Sequence, residues 1–286
     1  MSEQAADCRP WIGRSETDED VALRAPALRL AATLDRADLI AKLQARDAML
    51  PPCWHWLYFL PRSLQSTLGP DGHPQRGGFL PPVALPRRMW AGSRVDFRAP
   101  IAFGAALART STIADVRNTS GRSGALAIVT VRHEIRADGA LAIVDEHDIV
   151  YREAPAPGEP AAARRESASR AAQFGRRVAP DPVLLFRYSA LTFNGHRIHY
   201  DRSYATGVEG YPGLVVHGPL RATLLLDLLD RELPGARPSR FAFRALAPLF
   251  DTAPFDVCGA RDGDRVRLWT QSADGAIALD ATVELA

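Results

Sequence analysis

The chain holds 286 residues, 47% of them hydrophobic and 24% charged, with 35 Lys and Arg against 33 Asp and Glu. That length buries a core in one large domain or two small ones, and the balance is that of a globular protein. A formal net charge of +2 excludes a strongly basic surface for nucleic acid or for membrane headgroups.

Lys42 is the only lysine, so lysine-based covalent chemistry has a single possible seat. Cys8, Cys53 and Cys258 lie far apart and show no metal-ligand spacing, which points to a reducing compartment without a disulfide framework. The opening MSEQAADCRP lacks the basic start and apolar run of a signal peptide. No stretch approaches the ~18 apolar residues of a membrane span. A cytoplasmic location is expected.

In chain order, SRVDFRAPI begins at Ser93, and two apolar alternating runs, 128–135 and 141–151, flank an Ala-Asp-Gly turn. The stretch REAPAPGEPAAARRESASR, residues 152–170, has no strand or helix stripe and reads as a linker. Beyond it, SRFAFRALA begins at Ser239, and a second Ala-Asp-Gly turn at Ala273 again stands between alternating runs. The two pairs occur in the same order in each half, which argues for an internal duplication. The expected domains are residues 1–151 and 171–286.

Within the second half, FNGHRIHYD follows the apolar run 183–186 and brings His196 and His199 close to Asn194. HGPLRATLLLDLLDREL predicts a helix. Gly218 and Pro219 open it, Leu220, Leu224, Leu225, Leu228 and Leu229 form its stripe, and Pro234 and Gly235 end it. Leu226 widens the stripe until the helix is apolar nearly all round, so it should be buried. About four antiparallel strands are expected to wrap it.

The string YSALTFNGHRIHYDRSYATGVEGYPGLVVHGPL resembles the hydratase motif of the MaoC-like, R-specific enoyl-CoA hydratases and dehydratases. PPCWHWLYFLP, DGHPQRGGFLPPVALPRRMWAGSRVDF, GRSGALAIVTVRHE and DIVYRE are similar to the amino-terminal domain of that family's long members. Those members are the mesaconyl-C4-CoA and itaconyl-CoA hydratase type and the mitochondrial 3-hydroxyacyl-thioester dehydratase type. The resemblance runs from about Trp11 to the end. It implies an α+β double hot dog, with an antiparallel sheet around a long central helix in each half, the first half non-catalytic. It implies a hydro-lyase for an enoyl-CoA or 3-hydroxyacyl-CoA, most simply a short branched dicarboxylic one. Dehydration of a carrier-protein thioester and non-catalytic thioester binding are the alternatives.

The family's motif carries an aspartate, then an asparagine, then a histidine. Asn194, His196 and His199 stand at those three positions, so the usual carboxylate is missing. Asn194 cannot take a proton at physiological pH and is left to hold water through its amide. His199 is the first choice as general base, with His196 either a second acid–base group or a loop imidazole. Gly218 matches the family's oxyanion donor, at a helix end where backbone N–H groups lack partners. His217 is expected to be a satisfied loop or core histidine, and Asp201 an N-cap. For a substrate carboxylate or the phosphates of CoA, Arg87, Arg88 and Arg94 around Trp90 are the candidates. A metal site built from His196, His199 and His217 is a rival reading, though no carboxylate ligand pattern accompanies it. No cofactor beyond the CoA of the substrate is expected. Acyl carrier protein is the alternative partner, and pairing of two double hot dogs is the expected assembly.

Overall fold

Period-two alternation along the chain builds strands with one face buried, and antiparallel pairing lets short turns join them. The structure is a computed structural model that describes residues 8–121, 124–153 and 170–286. The stretch expected to be a linker, 152–170, lies mostly outside the described residues. Among the described residues, ten strands form one antiparallel sheet. They are β1 (Ser15–Val21), β2 (Arg87–Phe97), β3 (Ala106–Gly121), β4 (Gly124–Ala137), β5 (Ala140–Arg152), β6 (Phe174–Val178), β7 (Pro238–Ala245), β8 (Phe255–Asp262), β9 (Arg265–Ser272) and β10 (Ile277–Leu285). Their order across the sheet is β1-β3-β4-β5-β2-β7-β10-β9-β8-β6.

That order reads the same from both edges if β1–β5 are matched one by one to two halves of a duplication. The repeated SRVDF and SRFAF segments are β2 and β7, which lie side by side at the centre with Ser93 opposite Phe243 and Asp96 opposite Arg240. The two Ala-Asp-Gly turns join β4 to β5 and β9 to β10. The first is a two-residue turn with Asp138 and Gly139 both at positive φ, the geometry that favours such residues in a tight hairpin. The second is longer and is followed by a register shift between Ile277 and Leu279. The central seam is tight at Gly92, where a Cβ would come within 2.4 Å of the Phe243 carbonyl oxygen.

Among the described residues, five α-helices complete the fold: α1 (Arg24–Thr33), α2 (Ala37–Gln44), α3 (Pro182–Leu191), α4 (Arg202–Gly207) and α5 (Gly218–Glu232). α5 is the helix expected from HGPLRATLLLDLLDREL, and every residue from Leu220 to Leu229 is buried. It packs against β2, β6, β8 and β9. The second half contributes five strands to the sheet rather than about four, because the short β6 carries too little alternation to announce itself.

The first half departs from the expected long helix. α1 closes at Leu34, Asp35 takes a left-handed φ of 54°, and α2 starts afresh at Ala37. The turn points Arg36 inward, where it meets Asp227 and Asp230 of α5. Leu30, Leu34 and Leu43 of this helical pair share one core with Val95, Ile135 and Ile143 of the first half and with Leu220, Leu225 and Phe241 of the second.

Candidate active site

Asp181 caps α3 by accepting hydrogen bonds from the Val183 and Leu184 N–H groups. At its far end Phe193 takes a φ of 49° and turns the chain back, so that the Asn194 N–H reaches the Ser189 carbonyl at 2.8 Å. The Asn194 side-chain oxygen accepts from the His196 N–H at 3.0 Å, a local turn that fixes the loop. One turn of 3-10 helix, Arg197–His199, then delivers His199 inward. Asp201 caps α4 through the Tyr204 N–H, as expected.

The Nδ1 of His199 lies 2.7 Å from the Val215 carbonyl oxygen. A carbonyl only accepts, so Nδ1 carries the proton and Nε2 keeps its lone pair. The ring stacks on His217, centroids 3.7 Å apart, and meets His196 edge-on at 5.5 Å. Burial pushes the pKa of both His196 and His199 down to about 3, so both rings are neutral near pH 7. His217 is fully buried, with Nε2 2.8 Å from the Ser189 hydroxyl. The three rings do not converge as a metal set, because His199 and His217 lie face to face with Nδ1 and Nε2 already committed.

His196, His199, Asn194 and Gly218 line one cavity of about 1270 Å³. Gly218 is the first residue of α5, where the helix dipole is positive and N–H groups lack intrahelical partners. A Cβ there would meet only the Trp90 carbonyl, at an ordinary 3.6 Å. Packing therefore does not demand glycine at this position.

Of the arginines, Arg94 is held by both oxygens of Asp148 and by Glu146. Arg87 donates to the Glu209 carbonyl at 2.7 Å and lies over the Tyr211 ring. Arg88 lines the cavity and lowers the pKa of both His73 and His196 by its charge. Trp90 forms an aromatic wall with Trp56 and Phe243, its indole N–H donating to the Gly92 carbonyl.

Two cavity-lining residues carry no expectation from the sequence. Asp71 and His73 come from the first half, and the His73 ring lies 4.1 Å from that of His196. Their Asp-Gly-His-Pro string opens a segment that resembles the family's amino-terminal domain, but that resemblance assigned neither residue a role, and more than a hundred positions separate it from His196.

Comparison with known proteins identifies the family and the fold. The model of the hydroxyacyl-thioester dehydratase type 2 family matches residues 53–251. The chain is 52% identical over 282 residues to mesaconyl-C(4)-CoA hydratase of Chloroflexus aurantiacus, covering 98% of this chain and 99% of that protein. Its fold matches HtdX of Mycobacterium tuberculosis with a TM-score of 0.68 at 18% identity, covering 96% of this chain and 100% of that one. It also matches a second protein of that organism, described as a double hotdog, with a TM-score of 0.59 at 14% identity over 96% of each chain. The fold is thus a double hotdog, and the protein is a hydro-lyase that adds water to acyl thioesters or removes it. The chain belongs to the hydroxyacyl-thioester dehydratase type 2 family.

Proposed function

We propose that the protein reversibly hydrates the CoA thioester of a short branched enoyl dicarboxylic acid, such as mesaconyl-C4-CoA or itaconyl-CoA, with His199 as the base. The observation that carries the reading is the Val215 carbonyl on Nδ1 of His199, which leaves the Nε2 lone pair available beside the open end of α5. The 52% identity to a mesaconyl-C(4)-CoA hydratase supports the substrate class.

In hydration, Nε2 of His199 takes one proton from water while the water oxygen bonds to the β carbon. The π electrons of the double bond move through the α carbon onto the thioester oxygen. The α5 terminus at Gly218 stabilises that oxyanion, an interaction whose loss typically costs ~2.7–4 kcal/mol of barrier. The α carbon then gains a proton, matched by the one His199 took from water and releases, and the thioester carbonyl re-forms, so one water has been added.

Asn194, His73, Trp90 and Pro219 also line a second cavity of about 820 Å³, whose other walls include Trp56, Tyr58, Phe59 and Tyr188. It gives the acyl chain a largely apolar seat next to the first cavity. Arg88 lines the first cavity and not the second, and is the arginine assigned to a free carboxylate that points back into the first. No helix among the described residues is long and apolar enough to cross a membrane. We place the enzyme in the cytoplasm, with two chains pairing.

The test is turnover of mesaconyl-C4-CoA, itaconyl-CoA, crotonyl-CoA and an enoyl carrier-protein thioester by the purified protein. The reading expects kcat/KM to be highest for a dicarboxylic CoA ester. Preference for crotonyl-CoA removes the carboxylate, and preference for the carrier-protein ester removes CoA.

A further inference from the structure

Replacing the family's aspartate by Asn194 leaves the histidine loop without a carboxylate of its own. A carboxylate reaches it from the other half. Asp71 and His73 sit on a loop bolted directly to the catalytic loop. The Arg197 N–H donates to the Asp71 carbonyl at 2.9 Å, and the Arg197 guanidinium donates to the Pro70 carbonyl at 3.0 Å. Gly72 and Gly195 meet backbone to backbone. A Cβ on Gly72 would come within 1.9 Å of the Gly195 carbonyl oxygen, and one on Gly195 within 2.9 Å of the Gly72 oxygen. Gly72 also has a φ of 88°, which side chains resist. Only glycine at both places allows so close an approach.

The contact has a directional result. Asp71 accepts from the His73 backbone N–H at 3.0 Å, and its other oxygen lies 3.1 Å from Nδ1 of His73. Nδ1 therefore carries the proton and Nε2 is the working nitrogen, the orientation a carboxylate imposes on a catalytic imidazole. His73, His196 and His199 follow one another, with ring centroids 4.1 and 5.5 Å apart. Asp71, His73 and His196 also offer one ligand atom each within 4.8 Å of one another. Yet Asp71 and Nδ1 of His73 are already engaged with each other, and the Arg88 charge opposes a cation there.

We propose that Asp71 and His73, delivered from the amino-terminal half, form the second acid–base unit of this hydratase, His73 exchanging the α-carbon proton and Asp71 positioning it. The inference rests on the hydratase reading above. With all three rings neutral at rest, His199 takes a proton from water in hydration, and His196, between them, passes it to Nε2 of His73. His73, its transient charge balanced by Asp71, gives that proton to the α carbon, so the three rings end as they began. In dehydration each transfer reverses. His73 faces Asp71, His196, Arg88 and Arg76; burial first, and then the two arginines, hold its pKa below the usual value against the pull of Asp71, so the ring rests neutral.

The experiment measures hydration kinetics, the pH profile of kcat/KM, and solvent deuterium exchange at the α carbon for wild type, His73→Gln, Asp71→Asn and Gly72→Ala. His73→Gln should lower kcat by ~10²–10⁴-fold with KM within threefold, and slow α-carbon exchange in parallel. Asp71→Asn should lower kcat less and move the acid limb of the profile to lower pH, because the imidazole loses the counter-charge that favours its protonation. Gly72→Ala should lower kcat without touching a reacting group. Thermal midpoints show that each variant is folded. Wild-type kcat and unchanged α-carbon exchange in folded His73→Gln overturn the proposal. So does loss of wild-type activity to a chelator with recovery on adding a divalent cation, which assigns the cluster to a metal. Absence of hydration by the wild type on every thioester tried would instead overturn the hydratase reading itself.

Discussion

His199 lies flat on His217, their ring centroids 3.7 Å apart and their planes inclined by 19°. His217 is anchored in turn by Ser189 on α3, and it is the residue that precedes α5. His199, the proposed base, is therefore fixed in azimuth by the Val215 carbonyl and in tilt by a second imidazole. Its position is set relative to the helix end proposed to hold the oxyanion.

Removing the platform should disturb geometry before it disturbs binding. His217→Ala is expected to reduce kcat by up to ~10²-fold, the scale of a 1 Å misplacement, with KM changed only a few-fold. Steady-state hydration kinetics check this.

Asn194 offers a sign test. An aspartate there still accepts from the His196 N–H and adds a negative charge beside His196 and His199. That charge favours their protonated forms, so the acid limb of kcat/KM should move to higher pH while activity is retained or increased. Asn194→Ala removes the turn bond and should lower kcat by about tenfold. The two pH–rate profiles, measured side by side, check both statements.

Stability should fall on the acid side. His55, His73, His133, His196, His199 and His217 all have pKa values lowered by burial in the folded protein. In the unfolded chain they titrate near 6.5. Below that pH the unfolded state binds protons that the folded state refuses. Stability is thus fully present above about pH 6.5 and is lost as pH falls toward the lowered folded values, by up to ~1.4 kcal/mol per pH unit for each proton. Urea midpoints measured from pH 7.5 to 4.5 should decline steadily.

A buried charge ties the halves together. Asp227 of α5 meets Arg36 at 2.5 Å, Arg176 at 2.9 Å and Arg231 at 2.8 Å, with Arg36 and Asp227 both 2% exposed. Asp227→Ala removes the buried partner of Arg36, Arg176 and Arg231 but leaves Arg36 paired to Asp38 and Asp230, and should cost ~1.5–3 kcal/mol. That corresponds to a Tm lower by roughly 3–12 °C, measurable by calorimetry.

Much of this was legible in the chain itself. The two Ala-Asp-Gly turns and the SRVDF and SRFAF pair foreshadow a duplicated sheet, because hairpin and seam chemistry are local. The leucine pattern from Leu220 to Leu229 foreshadows α5 for the same reason. The motif resemblance pointed to Asn194, His196, His199 and Gly218, which the fold gathers at one cavity. The break at Asp35 was hidden, since it depends on Arg36 finding Asp227 across the core. Asp71 and His73 were hidden too. Their place beside His196 depends on two glycines from different halves touching, and no local period encodes that. Arg88 could not be told from Arg87 and Arg94 until the carboxylates around the latter two were located.

The central claim, that His199 is the base of an acyl-thioester hydratase, is tested most directly by steady-state hydration kinetics of His199→Ala on a dicarboxylic enoyl-CoA, alongside a thermal midpoint. The account predicts kcat reduced by ~10²–10⁴-fold with KM little changed in a folded protein. Wild-type turnover in that folded variant would contradict it.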